Sequence, residues 1–347
     1  MREMLSLQRI TSILKNYQLS PNYVEQMGKV QKIYTSKGVF ILKKIDPHHG
    51  IDFIKYVQTL YQKGYNRIVP IYPTIDGRYA VLDNQELYYL MPWLPDENKG
   101  ERTARQQQLF RELARLHSIS VKDMTINKEE RTRHFEKMII DLDQEEEFLL
   151  SLLETCERKV YMSPFELTFV TYYHDFNQAL SFSKKRLEEW YEATKEQEKV
   201  RVVVIHGKLS SEHFLFDERG YGYFINFEKA AIGPPTHDLL PFLVKALRGW
   251  PKQDEELLDW LYMYFKYFPF KEEEMKLFLS YIAHPGAAIK TVERFFKDGN
   301  NRNELEAVQK LQKDYWNLKN TEYLVMRIDE IERQKKQQQE EAARKEQ

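Results

Sequence analysis

"VVVIHGKLSSEHFLFDERGYGYFINFEKAAIGPPTHDLL", residues 202–240, is the stretch on which the reading of the chain turns. It opens on a β-branched run that is apolar on both faces, as a buried strand requires. A His206-Gly207 turn follows, then two more apolar runs. "GPP" closes the segment, since proline has no N–H to give to a ladder. The layout is that of an enzyme's working end. Where such chemistry calls for carboxylates, however, the chain supplies Lys208, His213 and Asn226.

Toward the N-terminus, "MREMLSLQRITSILKNYQL" places Leu5, Ile10, Ile13 and Leu14 at helical spacing with charges between them. That is an amphipathic helix rather than an export signal. "YVEQMGKVQKIYTSKGVFILKKIDP" then reads as three antiparallel strands broken at Gly28 and at "SKG". Phe53, Ile54, Val57, Leu60 and Tyr61 make a helical stripe ended by Gly64. "RYAVLD" and "ELYYLMPWL" are two more strands, parted by Asn84 and Gln85, and Pro92 and Pro95 mark an extended connector. Residues 1–95 thus form a small β-rich lobe with a leading helix.

From Glu101 onward the spacing is mostly helical. Leu109, Leu113 and Leu116 stack on one face, and "SPFE" supplies Ser163 as cap, Pro164 at the first position and Glu166 to close a capping box. "EELLDWLYMYFKYF" and "EEEMKLFLSYIAHPGAAIKTVERFF" continue the pattern, so residues 96–325 read as a larger helical lobe into which 202–240 is inserted. Residues 326–347 have almost no apolar face and read as a charged helical or disordered tail. The expected fold class is α+β and bilobal.

Composition narrows the function. Lys and Arg (52) balance Asp and Glu (53), leaving a net charge of −1 and no field to steer the chain to nucleic acid or anionic lipid. No apolar run approaches the roughly 20 residues that span a bilayer. The lone Cys156 forms neither an internal disulfide nor a cysteine zinc site, and its apolar neighbours make it a core residue. Synthesis and folding in a reducing cytoplasm are expected. His48 and His49 have no third ligand nearby in sequence, and Ser210 and Ser211 lack the framing of a hydrolase nucleophile.

The segment from His206 to Leu239 resembles the catalytic segment of the aminoglycoside phosphotransferase/choline kinase-like family. That family shows His-Gly-Asp-Leu-His, an Asn three residues later, an apolar strand, Ile-Asp-Phe-Glu, and Gly-x-Pro-x-x-Asp-Leu. His206, Gly207, Leu209, Ile225, Phe227, Glu228, Gly233, Pro235, Asp238 and Leu239 match. "ELARLHS" (112–118) resembles the family helix entering the large lobe, and "FILKK" resembles the third strand, with Lys43 at the nucleotide-binding lysine. The resemblance implies a protein-kinase-like fold, a nucleotide connector at Leu90, Met91 and Trp93, and structural roles for His206 and Asp238. "GKVQKIYTSKGVFILKKI" and "YIAHPGAAIKTVERFF" further resemble the spore-coat kinase-like (CotS) group of endospore-forming bacteria. That implies synthesis in the mother-cell cytoplasm, deposition in the spore coat, and other coat proteins as partners, with no nucleic acid and no membrane.

The departures decide the expected activity. Phosphoryl transfer is mainly positioning and charge neutralisation, with a carboxylate to orient the acceptor hydroxyl and oxygen ligands for magnesium. The family's hydroxyl-orienting Asp falls on Lys208, its metal-binding Asn on His213, and its metal-binding Asp on Asn226. A cation, an imidazole and a carboxamide are poor replacements. The helix after the third strand holds no Glu to pair with Lys43; Asp52 is placed to cap that helix instead. "EQMGKVQK" has one glycine where a phosphate-covering loop wants several. Glu228 is the stand-in carboxylate, two residues beyond Asn226 and on the same side if the segment is extended. The expectation is an inactive kinase fold with no cofactor, used as an interaction module. The alternatives are a nucleotide sensor that uses Lys208 in place of a metal, and an active small-molecule phosphotransferase using ATP and magnesium with Glu228, Glu212 or Asp217 as replacement ligands.

Overall fold

Ser6 accepts a hydrogen bond from the Arg9 amide and starts α1 (Leu7–Lys15), which buries Ile10, Ile13 and Leu14 of the stripe expected from the sequence; Leu5, its fourth member, lies outside the described residues. The computed structural model describes residues 6–28, 30–45, 51–96, 101–297 and 303–345. Strands β1 (Tyr23–Met27), β2 (Val30–Thr35) and β3 (Gly38–Ile45) follow, then α2 (Phe53–Gln62), β4 (Val81–Asp83) and β5 (Glu86–Pro92). The five strands form one antiparallel sheet in the order β1-β2-β3-β5-β4. Asn84 and Gln85 both take positive φ (46° and 63°), the paired left-handed geometry of a two-residue hairpin turn.

Strand alternation sorts the faces of this sheet. Phe40, Leu42, Tyr88 and Leu90 join Ile10, Ile13 and Leu14 in one apolar core, which seats α1 on that face. The register that pairs Lys43 with Tyr89 puts those two side chains on the opposite face, where the Phe53 ring of α2 lies 6.0 Å from that of Tyr89. Arg9 binds Asp83 and Glu86, while Lys44 and the Tyr88 hydroxyl also donate to Glu86, tying α1 to the β4–β5 edge. Asp52 stands at the N-cap of α2 but accepts no cap hydrogen bond; it pairs with Lys55 at 2.8 Å on the surface, which corrects the expected capping role.

α3 (Arg102–Ser120) buries Leu109, Leu113 and Leu116 together with Glu112 and His117. β6 (Lys122–Thr125), a short exposed strand, was not anticipated. After two long helices, α4 (Lys128–Glu157) and α5 (Pro164–Thr194), the chain re-enters extended structure. This comprises β7 (Lys199–Ile205), the hairpin β8 (Phe214–Phe216) and β9 (Gly222–Phe224), and β10 (Ala231–Gly233), which pairs antiparallel with β7. α6 (Thr236–Ala246), α7 (Glu255–Tyr267), α8 (Glu272–Ala283), α9 (Gly286–Lys297) and α10 (Glu304–Lys345) complete the chain. The charged terminal stretch is helical to Lys345.

The chain divides into two compact units: residues 1–122 with 202–238, and 123–201 with 239–347. The strands quoted at the outset belong to the same compact unit as the five-stranded sheet. In the helical unit, Ser163 and Glu166 form the reciprocal capping box that starts α5. Its core is built from Leu149, Cys156, Phe165, Phe169, Phe176 and Leu187 of α4 and α5 with Ile289, Val292 and Phe295 of α9 and Leu311 of α10. Burial pushes the Cys156 thiol up, so it stays protonated and inert.

Candidate functional site

Lys43 projects from β3 toward the segment after β9. Its ammonium donates to Glu228 Oε1 at 2.5 Å and to the Asn226 carboxamide oxygen, and the Tyr89 hydroxyl donates to the same Glu228 oxygen at 2.5 Å. The pair is largely buried: the Lys43 side chain is 16% exposed and that of Glu228 12%. Burial alone would push the Glu228 carboxyl up, but the charge and hydrogen bond of Lys43, with the Tyr89 hydroxyl, outweigh it and hold the group below its ordinary value.

Backbone geometry makes this convergence possible. Asn226 is left-handed (φ 66°, ψ 49°) and Glu228 lies in a single helical turn, Phe227–Lys229. The extended conformation expected for these residues is therefore corrected. The kink, not strand periodicity, turns both side chains onto one ammonium. A non-glycine residue in this region is strained and is held only where its surroundings fix it.

Behind this cluster lies a buried polar frame. Asp238 accepts from the amides of His206 (2.7 Å) and Gly207 (2.8 Å) and lies 3.2 Å from His117 Nε2. His206 Nε2 donates to the Ile225 carbonyl at 2.7 Å, leaving Nδ1 to accept from the Lys208 amide. Burial holds His206 below its ordinary value against the pull of Asp238, so the ring is neutral. Burial would raise Asp238, but the hydrogen bonds it receives from His117 and from the His206 amide hold it low. Gly207 is required by space as well as by its φ of +73°: a Cβ there would lie 2.0 Å from the Lys229 carbonyl oxygen. His206 and Asp238 therefore join the β7 turn to the segment that carries Asn226 and Glu228.

The other expected residues fall as follows. Lys208 is exposed, and its ammonium has no ion-pair partner among the described residues. His213 is buried and donates from Nδ1 to the Lys208 carbonyl at 2.8 Å; burial lowers its pKa. Ser211 accepts from Gln106 at 2.8 Å, and the Ser210 hydroxyl is buried with no hydrogen-bond partner among the described residues. Asp217 is spent on its own turn, accepting from the Arg219 and Tyr221 amides, while Glu212 is exposed. Along the connector, the Leu90 carbonyl accepts from the Tyr72 amide and the Trp93 amide donates to Val39. Met91 is buried beside Ile41, and the Trp93 ring receives Lys32 at 4.1 Å. The small cavity lined by Tyr89, Met91, Ile225 and Asn226 has a volume of only about 10 Å³, room for one water. Met27 pairs with Val30, and Gly28 takes a φ of +59°. His48 and His49 lie outside the described residues.

The donor set fits a hard cation poorly. Both oxygen-bearing side chains nearest the family's metal positions are turned onto Lys43, and among the described residues no three His, Cys, Asp or Glu side chains are grouped to hold a metal. Two participants were given no role by the sequence reading: Tyr89, within the strand "ELYYLMPWL", and His117, within the helix segment "ELARLHS". The absence of a Glu in α2 was the available signal that Lys43 must find its carboxylate elsewhere.

An antiparallel five-stranded sheet followed by a mainly helical part, with this catalytic-segment geometry, defines a kinase-like phosphotransferase fold. Residues 29–278 match the phosphotransferase enzyme family, and the chain belongs to it. Among solved structures it is similar to an aminoglycoside phosphotransferase from Alicyclobacillus acidocaldarius, with 15% identity over 96% of this chain and 98% of that one and a TM-score of 0.68. It is also similar to a spectinomycin phosphotransferase solved with ADP and spectinomycin, with 12% identity over 92% and 100% of the two chains and a TM-score of 0.53. At these identities the likeness is one of fold. No curated protein matches the sequence significantly.

Proposed function

We propose that this chain is a phosphotransferase-fold protein without catalytic activity, acting as a structural or interaction module of the bacterial spore coat. The observation that carries the loss of catalysis is the engagement of Lys43 by Glu228 and Asn226. The carboxamide at the metal position faces the Lys43 ammonium, a cation, in place of a magnesium ion. Lys208, at the position of the hydroxyl-orienting Asp, adds positive charge and offers no acceptor. Fold alone does not confer activity, and the groups that would confer it here are replaced or occupied.

Purified protein given ATP, magnesium and panels of aminoglycosides, choline and hydroxylated metabolites should transfer no phosphate. Transfer that disappears in Asn226→Ala overturns the reading. The coat assignment rests on "GKVQKIYTSKGVFILKKI" and "YIAHPGAAIKTVERFF", which resemble the spore-coat kinase-like group and within it the YsxE type most. On this reading the protein is made in the mother-cell cytoplasm and deposited among other coat proteins. A tagged copy in a sporulating endospore-former should fractionate with the coat, and recovery only in soluble vegetative extract contradicts it. The exposed, unpaired Lys208 favours one second reading, a sensor that binds nucleotide without metal. The active-enzyme alternative needs Glu228, Glu212 or Asp217 as replacement ligands; Glu228 and Asp217 are engaged elsewhere, and Glu212 is exposed.

A further inference from the structure

The helical unit contains a cavity of about 530 Å³, within the range of small-molecule sites. One wall is the loop after α6, and its position is fixed from α10. Asn320, buried, donates to the Leu247 carbonyl at 2.8 Å and the Trp250 carbonyl at 3.1 Å and accepts from the Lys252 amide at 2.7 Å. Asn317 accepts from the Gly249 amide at 3.2 Å. This latch presents Trp250 beside Trp316, with ring centroids 4.2 Å apart and planes 27° from parallel, while Trp250 remains 74% exposed. A large indole held in water by four specific hydrogen bonds to its loop is an unusual use of the residue, because burial is what indole contributes to stability.

The charges on the same cavity are not balanced. Lys310 is bound to Asp314, whose other oxygen accepts from the Thr291 hydroxyl at 2.6 Å. Arg248 and Lys313 also line the cavity, both exposed and neither in an ion pair among the described residues. An aromatic platform beside two uncommitted cations selects for a ring that can lie on indole and for an acidic group that can take a guanidinium or ammonium. It selects against a cationic ligand.

We propose that this cavity binds a small anionic ring compound, a phosphorylated or carboxylated sugar or heterocycle, with its ring on the Trp250–Trp316 pair and its acidic group on Arg248 and Lys313. The inference goes beyond the inactive-kinase reading and does not depend on it, since no residue of the Lys43 cluster lines this cavity. The test is calorimetric and tryptophan-fluorescence titration of the full chain with glucose 6-phosphate, glucuronate and adenosine monophosphate, with glucose and choline for comparison. At least one anionic probe should bind saturably with Kd below about 1 mM, and glucose and choline at least roughly tenfold more weakly. Phosphate against carboxylate preference is read from the first two probes. Trp250→Ala and the double variant Arg248→Glu/Lys313→Glu should each weaken binding at least about tenfold with an unchanged unfolding temperature, because all three side chains are exposed. Absence of binding by every anionic probe up to about 10 mM overturns the proposal, as does binding that these variants leave intact.

Discussion

Replacing Lys43 by Met separates the two roles this lysine can have. In a working phosphotransferase the substitution removes a nucleotide contact and is read in activity. Here it removes the charge that holds Glu228 and Asn226. The broken pair is largely buried, with the two side chains 16% and 12% exposed. Removing one partner of a buried pair costs about 3–5 kcal/mol because the other charge is stranded. The Tyr89 hydroxyl still donates to Glu228, and Met keeps the apolar stem, so the loss should fall below that range, at about 2–3 kcal/mol. At about 2–4 °C per kcal/mol for a unit of this size, the unfolding temperature should drop by about 5–10 °C. Glu228→Gln in the Lys43→Met background should return about 1–2 kcal/mol, since it removes the unpaired charge. Scanning calorimetry and urea unfolding of the four proteins in this double-mutant cycle provide the measurement. The reasoning fails if Lys43→Met leaves stability within about 0.5 kcal/mol of the parent, or if the two substitutions are additive.

Further predictions follow from the buried frame. The histidines His206 and His213 titrate below their ordinary value because of burial. Between that ordinary value, about 6.5, and their lower folded values, the unfolded chain binds protons the native one does not. Stability should therefore fall as pH drops below about 6.5, by up to about 1.4 kcal/mol per pH unit per histidine, and a flat unfolding profile from pH 7 to 5 would contradict this. The Glu228 carboxyl, held low, contributes stability above about pH 4.3 that is lost as pH falls through its folded value; Lys43→Met should abolish that part of the acid limb. Gly207→Ala should cost at least about 3 kcal/mol or prevent folding of this unit, since its Cβ would meet the Lys229 carbonyl at 2.0 Å; a variant as stable as the parent by urea unfolding would refute the close approach. Asp238→Asn replaces a pure acceptor by a group with donors where two amides already donate. It should cost about 2–4 kcal/mol, read as a lower urea midpoint with an unchanged slope.

How far the sequence carried the reading depends on the range of the interactions involved. The hairpins of the sheet, the stripes of α1 and α2 and the capping box at Ser163 are set by local patterns, and each lies where its pattern predicts. The His206 and Asp238 positions were legible through the family motif, although their shared hydrogen bonds to one turn are a matter of folded geometry. The Lys43–Glu228 pair was not legible. Its members are 185 residues apart, and their meeting requires both the β3–β5 register and the left-handed Asn226. Asn226 itself gave only composition as a clue, since Asn tolerates positive φ better than most residues. β6 went unseen because "KDMT" has no alternating apolar face. The Trp250–Trp316 pair was unreadable for the same reason as the ion pair: two residues on separate elements that only the loop after α6 brings together.

Thermal unfolding of the purified chain in an ATP titration, run once with magnesium and once with chelator, bears most directly on whether the phosphate-handling positions are disabled. An inert fold predicts an unfolding temperature that ATP does not raise under either condition. A rise that requires magnesium and vanishes in Asn226→Ala would show a metal–nucleotide site at work and would contradict the account.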